Sequence, residues 1–358
     1  MNTFSDNGWA SFRQAFHELT EFSIRYSRLG MRKLGIAPPP FRLQVDLTDR
    51  CNFRCPTCSK WKSADPEREL NAGEWKSIFR KVKSLILFRE LTVCGGEPFL
   101  HPEILEILVS ARKEGFSLTV ITNGWLVDED LIHRLEEIGV GELRVSLNSL
   151  HEDVHDRSRG MPGSFRRIMS LLENRWNRYP GTEISLATTI MEDNIGELSR
   201  MVTFARGKGL KGIIFQSLAP PECHYSFASG SKMPAEAPWT PEGDFLWVRN
   251  DQRLEKEVER VVSLKRKGFP VVNPVWQLRA FPTYYRNPDA VRKMACTGTL
   301  TRMNLDPFGD IRLCYGYPPV GNALTEDPGE AWRGTEALSV RLDSRYCPRL
   351  CRLLNNNL

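Results

Sequence analysis

Six times in succession, a short stretch rich in Val, Ile, Leu and Thr is followed by a longer one with helical spacing of its apolar residues, and this alternation constrains the fold more than any other feature. The strand-like stretches are Leu43–Leu47, Leu91–Val93, Leu118–Ile121, Leu143–Leu147, Ile184–Ile190 and Gly212–Phe215. Helical periodicity marks Ala72–Leu87, Pro102–Glu114, Asp128–Ile138, Phe165–Trp176 and Ile195–Arg206. Such alternation calls for a parallel sheet covered by helices, wound by right-handed crossovers. Six units fall short of the eight that close a barrel. The expected fold is therefore α/β, a partial (β/α)6 TIM-like barrel over residues 41–220, followed by a small α+β domain at 295–358.

Three further segments complete the organisation. Residues 1–40 carry an amphipathic stripe (Phe12, Phe16, Leu19, Phe22, Tyr26, Leu29) with Arg25, Arg28, Arg32 and Lys33 near its end. This predicts a basic amphipathic helix that packs on the barrel, a reading preferred to peripheral contact with an anionic membrane. Residues 221–294 connect the barrel to the C-terminal domain through a loop rich in Pro, Ser, Gly and Ala, a charged helix near Glu242–Lys267, and a Pro- and aromatic-rich stretch. In the C-terminal domain, Asn304–Leu313 reads as a hairpin turned at Asp306-Pro307-Phe308-Gly309.

Basic residues exceed acidic ones by only five in 358, 49 against 44, so no basic stripe speaks for nucleic acid. The first 25 residues lack a secretory pattern, and no apolar run is long enough to span a bilayer. The expected compartment is the cytoplasm, where thiols stay reduced and clustered cysteines bind metal more often than they pair. Seven of the nine cysteines fall in two groups.

The first group is Cys51, Cys55 and Cys58, a C-x3-C-x2-C spacing on the loop that leaves the first strand. The carboxyl end of a strand is where such barrels carry their chemistry. Three soft thiolates suit an iron–sulfur cluster or zinc and leave one metal position open. One β/α unit later stands Gly95-Gly96-Glu97-Pro98, where glycine permits close approach of the main chain to a ligand and a carboxylate can face an ammonium group.

These residues resemble the radical S-adenosylmethionine (SAM) superfamily. In that family three motif cysteines bind three irons of a [4Fe–4S] cluster, and the fourth iron chelates SAM, which is split to a radical that removes a substrate hydrogen atom. The resemblance implies that Cys51, Cys55 and Cys58 are the cluster ligands and that Gly95, Gly96 and Glu97 hold the SAM amino group. The residue before the last cysteine is usually aromatic in the family, and here it is Thr57. Asn123 after the third strand, Ser146 and Asn148 after the fourth, and Arg159 in the segment His155–Phe165 resemble positions that contact the SAM carboxylate and ribose. Capping, turn formation and surface ion pairing are the ordinary alternatives for these polar groups.

The second group is Cys296, Cys314, Cys347 and Cys351, enough to close the coordination shell of a cluster or a zinc ion. Its C-x12-G-x4-C spacing followed by a cysteine pair resembles the SPASM/twitch extension of radical SAM enzymes. Four cysteines rather than seven match the single-cluster twitch form and imply an auxiliary [4Fe–4S] cluster. Of the two cysteines left over, Cys94 reads as a core thiol. Cys223, in the loop after the sixth strand, is either an exposed thiol or a hydrogen-atom donor to a substrate radical.

The expected function is that of a cytoplasmic radical SAM enzyme of oxidoreductase type, served by an electron donor such as flavodoxin or ferredoxin. Dehydrogenation or epimerisation of a small hydroxylated metabolite is preferred. The alternative is modification of a peptide or protein side chain by a maturase, weighed down because about forty residues precede the first strand, too few for a peptide-recognition domain. A non-catalytic zinc-binding module is the reading from another class. Gln216, Tyr225, Trp239, Tyr284 and Tyr285 are candidates to line the pocket.

Overall fold

The computed structural model describes residues 27–31, 33–58, 60–62, 68–173, 181–218, 246–291 and 296–345. Six parallel strands, β1 (Arg42–Thr48), β2 (Glu90–Gly95), β3 (Ser117–Thr122), β4 (Val140–Ser146), β5 (Glu183–Ile190) and β6 (Gly212–Ser217), lie side by side in sequence order. Beyond β1 the sheet gains β7 (Arg302–Leu305), parallel to β1, and β8 (Ile311–Arg312), antiparallel to β7. The result is an open eight-stranded sheet with β6 and β8 at its edges, in keeping with the expected partial barrel.

Period two in the strands divides core from interior. Leu43, Val45, Leu47, Leu91, Val93, Val120, Leu143 and Val145 are 0–1% exposed and meet the covering helices. Most of the residues that alternate with them are polar and turn to the other face: Gln44 pairs with Thr92 and Asn304, Asp46 with Cys94, Arg144 with Ser185, and Thr189 with Gln216. One face therefore supplies hydrophobic stabilisation and the other is largely polar. Cys94 lies on the polar face, although its sequence context reads as core.

Helix α1 (Ala72–Val82) shows how a covering helix is specified. Asn71 and Glu74 form a capping box at its start, and Trp75, Ile78, Phe79 and Val82 follow at helical spacing, all 0% exposed. Each such side chain contributes roughly 1.5–3 kcal/mol by leaving water. Helices α2 (Ile104–Lys113), α3 (Glu129–Ile138), α4 (Glu152–Arg159), α5 (Ser164–Glu173) and α6 (Leu198–Gly207) continue the layer. Helix α4 is absent from the sequence expectation because its buried residues are His155 and Ser158, so no apolar stripe announces it.

The connecting segment contains α7 (Asp251–Arg266) and α8 (Val275–Arg286), the latter formed by the Pro- and aromatic-rich stretch with Pro282 inside it. Just before α8, residues 270–273 run along the edge of β6. Asn273 closes that edge: its Oδ1 accepts from the Phe215 N–H at 2.7 Å and its Nδ2 donates to the Phe215 carbonyl at 2.8 Å. At the opposite end of the strands, Tyr285 donates its hydroxyl to the Ile190 carbonyl and accepts from the Leu218 N–H, and Tyr284 donates to the Leu218 carbonyl. Both tyrosines are 1–3% exposed and clamp β5 and β6 to α8 rather than lining a pocket.

The C-terminal segment binds the barrel through β7 and through scattered contacts. The Leu70 N–H donates to the Pro307 carbonyl, Lys81 on α1 donates to the carbonyls of Ala323 and Leu324, and the Trp332 indole donates to the Pro38 carbonyl. The turn at Asp306–Gly309 forms as the sequence implies: the Asp306 carboxylate accepts from the N–H groups of Phe308 and Asp310, and Gly309 takes φ +83°. Helices α9 (Pro328–Arg333) and α10 (Thr335–Asp343) follow. Near the N-terminus, Arg28 is buried, with its guanidinium on the Leu300 and Pro39 carbonyls and over the Phe41 ring, so the described end of the amphipathic segment packs on the protein. Residues 1–26 lie outside the described residues.

Asn273→Ala leaves two buried backbone groups of β6 without partners, and the expected cost is roughly 2–4 kcal/mol. Equilibrium urea unfolding checks this as a lowered midpoint.

Candidate active site

The loop from Thr48 to Cys58 leaves the carboxyl end of β1, and the main chain after β2 is pressed against it. The Gly96 N–H donates to the Thr48 carbonyl at 2.7 Å, and the Glu97 N–H to the Arg50 carbonyl at 2.8 Å. A Cβ on Gly95, whose φ is +128°, would stand 2.3 Å from the Thr48 oxygen, and one on Gly96 would stand 2.2 Å from that of Arg50. Glycine is required at both positions because no side chain fits between the two loops. The close approach implied by the sequence is thus made to the cysteine loop itself.

Helix α4 clamps the loop from the other side. Its cap, Gly160, has φ +58°, and a Cβ there would lie 2.2 Å from the Arg54 carbonyl oxygen. The Cys55 thiol donates to the Arg159 carbonyl at 3.2 Å. Gly160 is a site residue that sequence reasoning missed, for the same reason that α4 was missed.

Cys55 is buried and Cys51 and Cys58 are half-buried. Burial pushes the Cys51 thiol up to about 11 and raises that of Cys58, and each is raised further by Cys55. Holding the thiolates of Cys51 and Cys58 together against this burial needs a compensating metal charge, as in thiolate-bound clusters. Among the described residues no three thiol, imidazole or carboxylate side chains converge as a metal-ligand set. The three cysteines share one loop without being drawn onto one point.

Glu97 is 0% exposed and serves the neighbouring strand. Its Oε1 accepts from the Thr122 hydroxyl and its Oε2 from the Asn123 N–H, both at 2.8 Å. Burial pushes its carboxyl up to about 7 against the pull of these donors. Asn123 donates its side-chain amide to Asn52 at 2.8 Å, which joins the end of β3 to the cysteine loop.

Arg159 projects its guanidinium 5.6 Å from the Phe53 ring centroid, and its Nε is buried with no hydrogen-bond partner. A charged donor left open beside three thiols is the feature of this site that asks for an anionic ligand group such as a carboxylate. Asn148, by contrast, is fully engaged. Its amide donates to Ser158 at 3.0 Å, its Oδ1 accepts from the Thr189 N–H, and its N–H donates to His155 Nδ1. His155, entirely buried, is pushed down to about 3 by burial and stays neutral, so the hydrogen is on Nε2. Ser146 stands half-buried at the carboxyl end of β4.

In the second cysteine group, Cys296 precedes β7 and Cys314 follows β8, both half-buried. Cys347, Cys351 and Cys223 lie outside the described residues, as do Tyr225 and Trp239. Among the described residues no helix is long and apolar enough to cross a membrane.

Comparison with known proteins gives a consistent picture. Residues 45–203 match the sequence model of the family described as "Radical SAM superfamily". Over 231 residues the chain is 29% identical to Fe-coproporphyrin III synthase of Methanosarcina barkeri, covering 63% of this chain and 52% of that protein. It is 31% identical over 177 residues to the AdoMet-dependent heme synthase of the same organism, covering 49% and 50%. The chain thus spans about half the length of these two relatives. With PqqA peptide cyclase of Gluconobacter oxydans it shares 27% identity over 327 residues, 89% of this chain and 84% of the relative. Among solved structures, SuiB of Streptococcus suis bound to S-adenosylmethionine superposes with a TM-score of 0.63 at 16% identity, covering 95% of this chain and 75% of that one. At that identity the likeness speaks for the fold. The cofactors of this family, a [4Fe–4S] cluster and SAM, match the chemistry of the site: soft thiols, a close-packed glycine main chain and an open guanidinium.

Because the Glu97 carboxyl is raised from 4.5 to about 7, the folded protein binds its proton more tightly than the unfolded chain. Its contribution is full below pH 4.5 and is lost as pH rises through about 7, an effect of roughly 3 kcal/mol. His155 acts in the opposite sense, since its lowered value makes stability rise with pH up to about 6.5. The test is the difference between wild type and Glu97→Gln in metal-free protein. Wild type is expected to lose stability relative to the variant between pH 4.5 and 7, and a pH-independent difference contradicts the assignment.

Proposed function

We propose, from the match of residues 45–203 to the radical SAM superfamily, that the chain is an enzyme of that superfamily and modifies a side chain of a peptide or protein substrate. In this reading Cys51, Cys55 and Cys58 hold a [4Fe–4S] cluster with one iron left for SAM, and Cys296, Cys314, Cys347 and Cys351 hold an auxiliary cluster. The observation that carries the choice of substrate is the extent of the match to PqqA peptide cyclase, which covers 89% of this chain and 84% of that protein. SuiB, whose fold this chain resembles, has also been solved bound to the precursor peptide SuiA. The curated relative matched over most of this chain speaks for a peptide substrate more than for the small hydroxylated metabolite preferred from the sequence.

When bound, the cluster supplies the electron that splits SAM to a radical able to remove a substrate hydrogen atom. The chain's own residues bind and orient. Arg159 offers its unpartnered Nε to the SAM carboxylate. Gly95 and Gly96 keep the main chain after β2 against the cysteine loop, and Glu97 fixes the end of β3 beside it through Thr122 and Asn123. The packed loops and the apolar layer behind the strands exclude water from the radical. An electron carrier of the flavodoxin or ferredoxin class supplies reducing equivalents.

Two measurements test this proposal. In the anaerobically reconstituted enzyme, Arg159→Met is expected to weaken SAM binding roughly tenfold to a hundredfold, the worth of a charge-assisted hydrogen bond. Incubation with SAM, a reductant and short candidate peptides should give 5′-deoxyadenosine together with a mass change in one peptide. Modification of a tetrapyrrole instead, the chemistry named by the two Methanosarcina relatives, would overturn the peptide reading while leaving the radical reaction in place.

A further inference from the structure

The two cysteine groups are far apart in sequence, yet a buried polar chain runs between them. Lys60, two residues after Cys58, is 5% exposed, and its ammonium donates to Asp46 Oδ2 at 2.8 Å and to Asp49 Oδ1 at 2.9 Å. Asp46 and Asp49 are 1–2% exposed. The backbone N–H of Lys60 donates to the Cys58 sulfur. On its other side Asp46 accepts from the Cys94 thiol at 3.0 Å and from the hydroxyl of Tyr315, the residue after Cys314. The Tyr315 oxygen in turn accepts from the Gln44 amide at 3.1 Å, and the Gln44 carbonyl oxygen accepts from Arg302 on β7 at 2.8 Å. The Lys60 ammonium also stands 5.8 Å from the Tyr315 ring centroid.

Three charges buried together are costly unless each is held by the others, so such a group persists only with its geometry intact. Here it links one cysteine-bearing loop to the other through side chains on the polar face of β1. We propose that Tyr315, Asp46 and Lys60 are positioning residues that couple the two cysteine groups: Tyr315 fixes Asp46, Asp46 with Asp49 fixes Lys60, and Lys60 fixes the Cys58 sulfur. Through this chain, the loop that carries Cys314 sets the electrostatic surroundings of the cluster at Cys51, Cys55 and Cys58. The inference rests on the radical SAM reading of the first group and assigns a task to residues outside the family's motifs.

The test uses the full chain with its clusters reconstituted, and follows the reduced SAM-site cluster by electron paramagnetic resonance during a redox titration. Its signal is recognised by its change on addition of SAM. Asp46→Asn removes one buried negative charge, and the reduction potential of that cluster is expected to rise. Tyr315→Phe, a change confined to the C-terminal segment, is expected to alter the same signal. Loss of SAM-site iron in Lys60→Met with retention in Lys60→Arg supports the coupling equally. Unchanged signal and potential in both Asp46→Asn and Tyr315→Phe, with the cluster loaded, overturn it. If wild type takes up no SAM-responsive cluster, it is the functional reading that fails and not the coupling alone.

Discussion

Close contact between two stretches of main chain organises everything else in this protein. The backbone of Gly95 and Gly96 lies against the carbonyls of Thr48 and Arg50, at distances that leave no room for a side chain. That contact brings the end of β2 to the cysteine loop and sets Glu97 where it can seize the end of β3. Gly160 repeats the device from α4, against Arg54. Three strand ends and a helix end thus meet on one loop, so that the three thiols of the loop and the Arg159 guanidinium of α4 are held in fixed relation.

The alternation of the strands makes this possible. Leu, Val and Ile on one face bury themselves under the helices, which leaves the other face free to carry Gln44, Asp46, Cys94, Arg144 and Gln216 at no cost to the core. The charged groups on the polar face are paired, Asp46 with Lys60 and Arg144 with Glu142, so this face stays polar without uncompensated carboxylates at these points.

The sheet was legible because period two and period 3.6 are strong signals, and all six strands lie where alternation puts them. The cysteine loop and Gly-Gly-Glu were legible because their chemistry demands particular residue types at fixed spacing. Helix α4 and Gly160 were not, since a helix that buries His155 and Ser158 shows no apolar stripe. Helix α8 was hidden by Pro282, and its tyrosines read as pocket-lining when their hydroxyls in fact satisfy carbonyls at the ends of β5 and β6. The Lys60–Asp46–Tyr315 chain was invisible for a different reason: its members are separated by up to 269 residues, and only the pairing of β7 with β1 brings them together.

The most direct test of the central claim is Mössbauer spectroscopy of iron-57-reconstituted protein in which Cys296 and Cys314 are replaced by Ala, so that the first cysteine group is observed by itself. The expected spectrum is that of a cubane cluster in which one iron subsite changes when SAM is added. Absence of iron, with stoichiometric zinc in its place, or a cluster whose four irons are indifferent to SAM, would contradict it.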